Sequence, residues 1–237
     1  MPTINHLSEI LIRTVKLSQD YQEILEELAQ YPLQRLKEEL HNDDLRKAFW
    51  INSYNAFFLI FRRERGIQKP HIYRQKLVTI AGEKLSLDEI EHGILRRFRY
   101  KFSRGYLANP FARRLVKQLA LRQIDFRIHF ALNCGAQSCP PIAFYTANKI
   151  NEQLEMATLS FLESETLLKP GDKEIHISRL FHWYLGDFGG KSGIRNMLQK
   201  YLQLDSKGCK LIYKQYSWKE DLENYDEKSF VGTYPDQ

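Results

Sequence analysis

Two cysteines in one short loop, Cys134 and Cys139, carry the strongest chemical signal in this chain. They sit in RIHFALNCGAQSCPPI, residues 127–142, where an apolar run ends at Asn133-Cys134-Gly135 and Pro140-Pro141 close the loop. A thiol held beside a glycine at the end of a rigid element can present a nucleophile, although an ordinary strand–turn junction looks the same. Thiol catalysis needs an imidazole to take the proton and a carboxylate to orient that imidazole. His92 can supply the base, with Asp88 one helical turn before it, Glu91 adjacent and Arg96 one turn after. In this reading Cys134 is the nucleophile, His92 the base, Asp88 its orienting carboxylate and Glu91 a supporting one. The amides of Gly135 and Ala136 would face the oxyanion. Cys139 with His129 is the competing pair; an extended chain would put about 16–17 Å between His129 and Cys134, so contact requires the loop to fold back.

A zinc site built from Cys134, Cys139, His92 and His129 is weaker, because the cysteine gap is wide and no second tight pair closes it. No metal and no cofactor is expected. The chain has no phosphate-cradling glycine loop, serine elbow or dinucleotide fingerprint.

The elements that must position these groups follow from periodicity and caps. Residues 5–40 read as two helices broken near Tyr31-Pro32, and Asn42 or Asp43 can cap a third from about Leu45 to Arg65, stopped by Gly66. That third helix is apolar on every side, as a buried helix is, yet Asn52 and Asn55 share a stripe with Ala48, Ala56 and Leu59. Buried amides need partners, so the pair either satisfies irregular backbone nearby or binds substrate. Leu77 to Ala81 reads as a strand turning at Gly82-Glu83. Ser86 and Glu89 form a capping box opening a helix to about Arg99, with Glu91 in the middle of its apolar face. Ile128 to Leu132 reads as a short buried strand. A helix from Asn148 to Ser164, a strand at Glu174–Ile177, a helix capped by Ser178, another helix to Tyr201 and a strand at Lys210–Tyr213 complete the chain. Short strands scattered among longer helices predict an α+β, helix-rich single domain around a small, mainly antiparallel sheet. Helices 1–44 would precede a motif-bearing core at 45–222.

At 237 residues, 43% hydrophobic and 27% charged, the composition is globular. No run is apolar enough to span a bilayer, no secretory signal is visible, and three cysteines suggest no disulfide framework, so reduced thiols in a cytoplasm are expected. Ten basic residues between Arg96 and Arg127 face Asp125 alone, with aromatics interleaved. They read as a solvated helical face over apolar residues, not as a specific nucleic-acid site.

Four segments together resemble the family catalogued as domain of unknown function 547. They are AFWINSYNAFFL at 48–59, LSLDEIEHGILR at 85–96, the cysteine segment at 127–142, and HISRLFHWYLGDFGG at 176–190. A weaker likeness lies at Tyr216 to Leu222, where the family tends to have Tyr-Asp-Trp-Ser-Leu and Ser217 stands in place of the aspartate. The resemblance is to its free-standing bacterial and cyanobacterial members; plant members carry the domain behind a coiled coil. The family has no settled activity, and its architecture resembles the papain and transglutaminase-like group, with a cysteine at a helix start and a histidine on a strand. Residues and resemblance together lead to a cysteine-dependent hydrolase or acyl-transferase acting on amide or peptide bonds, with Asn52, Asn55, Arg96 and Ser138 as binding residues. Its ligand would be a peptide or small-molecule substrate. The alternative is a non-catalytic protein-interaction or ligand-binding domain with a degenerate active site.

Overall fold

Three helices, α1 (Ile4–Lys16), α2 (Gln22–Gln30) and α3 (Leu33–Glu39), lead into the central α4 (Asp43–Leu59) in the computed structural model, which describes residues 2–231. The expected two N-terminal helices are therefore three: the break at Tyr31-Pro32 is present, and a second occurs at 17–21. The Thr3 side chain accepts from His6 N to start α1, whose stripe of Ile4, Leu7, Leu11, Ile12 and Val15 is buried against α4. Asn42 caps α4 by accepting from Leu45 N, and Asp43 and Asp44 complement its dipole. From Lys47 to Leu59 every residue of α4 is buried, as its all-round apolarity requires. The helix continues as a wider π turn over Ile60–Glu64 and stops at Gly66, whose positive φ no other residue adopts as cheaply.

After α5 (His71–Arg74), strands β1 (Val78–Ile80) and β2 (Glu83–Leu85) pair antiparallel, Val78 opposite Leu85. The Ser86–Glu89 capping box forms in both directions, each hydrogen bond 3.1 Å long. The helix it opens departs from expectation. From Glu89 to Leu95 it is a π-helix, with Arg96 N bonded to Glu91 O and Phe98 N to Gly93 O, and it ends four residues short of Arg99. The wider turn changes the phase of its side chains, bringing Arg96 fully inside the protein.

The basic segment is not a solvated helical face. It forms a 3-10 turn at Lys101–Ser103, a bridge between Arg99 and Ala108, and the short α6 (Arg114–Leu119). Phe102 and Phe111 are exposed rather than covered, while Arg96, Arg104 and Arg113 turn toward partners. Gly105, Pro110 and short turns fragment this stretch, so the charges cannot line one face.

Ile128 to Leu132 is also not a strand. Phe126–Phe130 is a 3-10 turn, started by Asp125 accepting from Arg127 N. A short run buried on all sides has no period to tell a strand from a turn, and the Asp125 cap decides the matter.

The remaining elements are α7 (Ile150–Glu165), β3 (Leu167–Lys169), β4 (Glu174–Ile177), α8 (Leu180–Trp183), α9 (Gly190–Leu202), β5 (Lys210–Tyr213) and α10 (Glu227–Phe230). β3 pairs antiparallel with β4, and β4 pairs parallel with β5. The fold is α+β and helix-rich as expected, but the strands form two small sheets, one of them with a parallel pair.

Two apolar clusters result. One surrounds α4, and the other joins α7, β4, α8 and α9. Residues 214–226 strap the cysteine loop from outside, through Gln137 N to Lys219 O at 2.8 Å, Asp221 N to Gly135 O at 3.1 Å and Ile142 N to Asn224 O at 2.8 Å. No helix among the described residues is long and apolar enough to cross a membrane.

Candidate functional site

A cavity of about 410 Å³ opens where the two apolar clusters meet, and most of the residues singled out from sequence line it. Tyr54 comes from α4, Asp88, Glu91 and His92 from the π-helical segment, and His129 from the 3-10 turn. Cys134 and Cys139 come from their loop, Trp183 and Tyr184 from α8 and its end, and Tyr216 and Trp218 from the strap. Catalytic groups usually arrive in this way, from several elements of one scaffold.

The two cysteines are joined as a disulfide, which corrects the expectation of reduced thiols. The loop folds back far enough to bring their Cα atoms to 6.0 Å, within ordinary disulfide range. The Tyr216 hydroxyl lies 3.3 Å from Cys134 Sγ and 3.0 Å from Cys139 Sγ. Neither sulfur of a disulfide carries a hydrogen, so the phenol is the donor. Burial pushes its pKa up and keeps it protonated.

Behind the cavity wall runs a chain of buried polar groups. The side chains of Arg96 and Asp187 are both fully buried and meet through Nε and Oδ2 at 2.6 Å. The same Oδ2 accepts from His129 Nε2 at 2.8 Å. Burial alone would raise the Asp187 pKa, but hydrogen bonds from His129 and Arg96 outweigh it and lower the pKa to about 2. His129, stacked on the Tyr184 ring at 3.9 Å, has its own pKa lowered by burial despite the Asp187 partner. It is therefore a neutral imidazole that donates from Nε2 and keeps a lone pair on Nδ1. Gly105 and Gly186 let the backbone of two loops close over Asp187, and a Cβ at Gly105 would collide with the Asp187 carboxylate.

His92 is arranged differently. Its Nδ1 lies 2.8 Å from Arg96 Nη1, and a guanidinium only donates, so Nδ1 holds the lone pair and Nε2 the proton. A second proton would have to go on Nδ1, the atom that faces Arg96, and would set a cationic ring against the guanidinium. Burial lowers the His92 pKa in the same sense. This geometry contradicts His92 as the general base. Asp88, the carboxylate assigned to orient it, lies 3.7 Å from His92 Nε2 and is held instead by Lys101 at 2.7 and 2.8 Å.

Glu91 accepts from the Tyr184 hydroxyl at 2.8 Å and from Tyr54 at 3.4 Å. Burial works to raise its pKa, but the hydrogen-bonded His92–Arg96 pair, whose charge lies on the guanidinium, and the Tyr184 hydrogen bond lower it on balance. Asn52 exchanges hydrogen bonds with the Tyr145 backbone, 2.8 Å to its carbonyl and 3.2 Å from its N–H. Asn55 donates to Ala131 O at 2.9 Å and accepts from Asn133 N at 3.0 Å. Both amides are thus committed to the backbone that holds the loop. They are positioning groups, not ligand-binding ones.

Three further expectations are corrected. The Gly135 amide is taken by Asn133 Oδ1 at 2.6 Å and cannot serve an oxyanion, and Ala136 is fully buried. Ser138 accepts from Ser217 N at 2.9 Å, tying the strap to the loop outside the cavity. Arg96 is enclosed by Asp187 and His92 with no exposed surface.

The family model described as Protein of unknown function, DUF547, matches residues 38–162. The chain belongs to this family. No curated protein and no solved structure matches the chain. The family's matched span includes α4, the π-helical segment and the cysteine loop, and so carries every cavity residue up to Pro140. Asp187, Tyr184, Trp183 and Tyr216 lie beyond it.

Residue-level reading of the sequence assigns no role to these four. The signal for Asp187 is a carboxylate enclosed in Gly186-Asp187-Phe188-Gly189-Gly190, where glycines permit close backbone approach. Tyr216 and Trp218 form an aromatic pair within the weaker family likeness at 216–222, and nothing in that spacing assigns them a role.

Proposed function

We propose that the chain is a cysteine-dependent hydrolase or acyl-transferase of amide or peptide bonds, active when Cys134 and Cys139 are reduced. The observation that carries this reading is the sharing of one cavity by the two sulfurs and His129, whose Nε2 is held by Asp187 from behind the wall. Cys134, the more accessible of the two, is the nucleophile, and Cys139 is its redox partner. His129, oriented through Nε2 by Asp187, takes the thiol proton on Nδ1. The thiolate adds to the carbonyl carbon, and the Tyr216 hydroxyl donates to the developing oxyanion in place of the occupied Gly135 amide. Protonated His129 returns its proton to the leaving amine, and water or an acceptor amine then cleaves the thioester. The papain-like likeness is one of chemistry, since here the histidine sits on a 3-10 turn and the central helix carries Asn55 where that group would place a cysteine.

The alternative is a non-catalytic binding cavity, favoured by one observation: in the disulfide form neither sulfur is a nucleophile. Alkylation of the reduced protein by iodoacetamide across pH separates the two readings, with Cys209→Ser removing the one other thiol. A thiol titrating well below about 8.5, and moving up in His129→Gln, supports catalysis. An ordinary thiol curve, unchanged by that substitution, leaves the binding reading.

A further inference from the structure

We propose that this cavity binds the alkylammonium group of its ligand against Glu91. The inference deepens the function proposed above by naming a chemical class of ligand, and its binding component holds for either form of the cysteines.

The charges around the cavity do not balance. At the mouth, Asp88 is neutralised by Lys101, both carboxylate oxygens lying within 2.8 Å of Nζ. In the wall, Arg96 is neutralised by Asp187. Glu91 remains. Its two hydrogen-bond partners, Tyr184 and Tyr54, are neutral hydroxyls, and His92 cannot compensate it because Nδ1, 3.3 Å from Glu91 Oε1, takes its hydrogen from Arg96. Arg96 draws the Glu91 pKa down from a distance, but its guanidinium is committed to Asp187 and His92. Among the described residues no cation other than a ligand's therefore bonds the Glu91 carboxylate, and its spare acceptor capacity favours one there.

The rest of the cavity suits such a cation. Tyr54, Tyr73, Trp183, Tyr216 and Trp218 line the same cavity as Glu91. Aromatic walls around a carboxylate favour an ammonium twice, through the ring quadrupole and through the charge, and desolvation strengthens both. The chain already uses these rings in that way. Lys69 Nζ lies 5.1 Å from the Trp218 ring centroid, and Lys101 Nζ lies 6.0 Å from that of Tyr73. The apolar lining, which includes Leu132, Leu180 and Pro140, would hold the alkyl stem.

Hexylammonium and hexan-1-ol, matched in chain length, separate charge from apolar burial. Titrated into the full chain and followed by the fluorescence of Trp183 and Trp218, hexylammonium is expected to bind at least about tenfold more tightly. Glu91→Gln, which keeps a carbonyl acceptor for Tyr184 and turns an NH2 donor toward the Tyr54 hydroxyl, should abolish that preference. Lys101→Ala, at the partly exposed rim, should tighten hexylammonium severalfold by leaving Asp88 uncompensated. Equal binding of the two probes, binding of neither, or an unchanged affinity in Glu91→Gln overturns the proposal. If Glu91→Gln does not fold, an unchanged or weaker affinity in Lys101→Ala overturns it alone. The alkylation profile is independent: an ordinary thiol curve with selective hexylammonium binding leaves an ammonium-binding cavity without catalysis. The reverse result leaves the thiol chemistry with another class of substrate.

Discussion

Asp187 concentrates two cationic or polar donors on a single oxygen: Oδ2 accepts from Arg96 at 2.6 Å and from His129 at 2.8 Å. This arrangement stabilises the ionised carboxylate and makes folding depend on acid in a defined window. The pKa falls from an ordinary 3.8 to about 2 on folding, so the stabilisation is complete above the unfolded value and is lost as pH drops through the folded one. The amount is on the order of 2 kcal/mol. His129 and His92 act at higher pH. Both are depressed by burial, so the unfolded chain binds protons that the folded chain refuses, and stability begins to fall below about 6.5. Urea midpoints measured from pH 7 to pH 2 should therefore fall in two stages. In Asp187→Asn the stage between pH 4 and pH 2 should shrink but not vanish, since folding also lowers the pKa of Glu91 and Asp125, on a baseline lowered by the unpaired Arg96. A variant that retains the lower stage in full would show that Asp187 does not contribute to it.

At the scale of elements, α4 does not touch the chemistry with a catalytic side chain. It holds the loop that does. Asn55 closes a pair of hydrogen bonds with Ala131 O and Asn133 N, at the point where the 3-10 turn passes into the cysteine loop. Replacing Asn55 with alanine would strand one buried carbonyl and one buried N–H, at a cost of roughly 2–4 kcal/mol. A loss under 0.5 kcal/mol by urea unfolding would mean that the loop re-pairs, and that α4 does not position it. Asn52, Asn55 and Glu91 were legible in the sequence because each interrupts an apolar stripe, and helical phase leaves such a residue no exposed alternative. Helices α4, α7, α8 and α9, the caps at Asn42 and Ser86 and the β1–β2 turn were legible for similar local reasons. Asp187 and Tyr216 were not, because a loop has no periodic background to violate. The 3-10 turn at Phe126–Phe130 failed for a related reason, since burial on every side erases the distinction between a short strand and a turn. The π geometry after Ser86 lay beyond reach too: the capping box fixes where the helix begins, and nothing local fixes how widely it winds.

Across the whole molecule, the cavity lies on a seam that the chain crosses repeatedly. Ile128 and Ala131 belong to the cluster around α4, while Phe130 between them belongs to the other. Helix α7 spans both, with Ile150 and Leu154 in the first cluster and Phe161 and Leu162 in the second. The Arg96–Asp187 pair joins the π-helical segment to the loop after α8, and separating it would leave two buried charges, each break costing about 3–5 kcal/mol. Neither cluster can therefore open without undoing the seam, and the two should unfold together. Trp50 lies fully buried in the first cluster, and Trp183 packs against the second, so each cluster has its own fluorescent reporter. In a Trp183→Phe, Trp218→Phe chain, fluorescence follows the first cluster through Trp50. In a Trp50→Phe, Trp218→Phe chain, it follows the second through Trp183. Each urea transition should coincide with that variant's own far-UV circular dichroism, with one midpoint and one slope. If the Trp183 signal melts ahead of the helical signal, the second cluster is an independent unit. The cavity would then be a joint between two bodies, and its geometry would depend on how they dock.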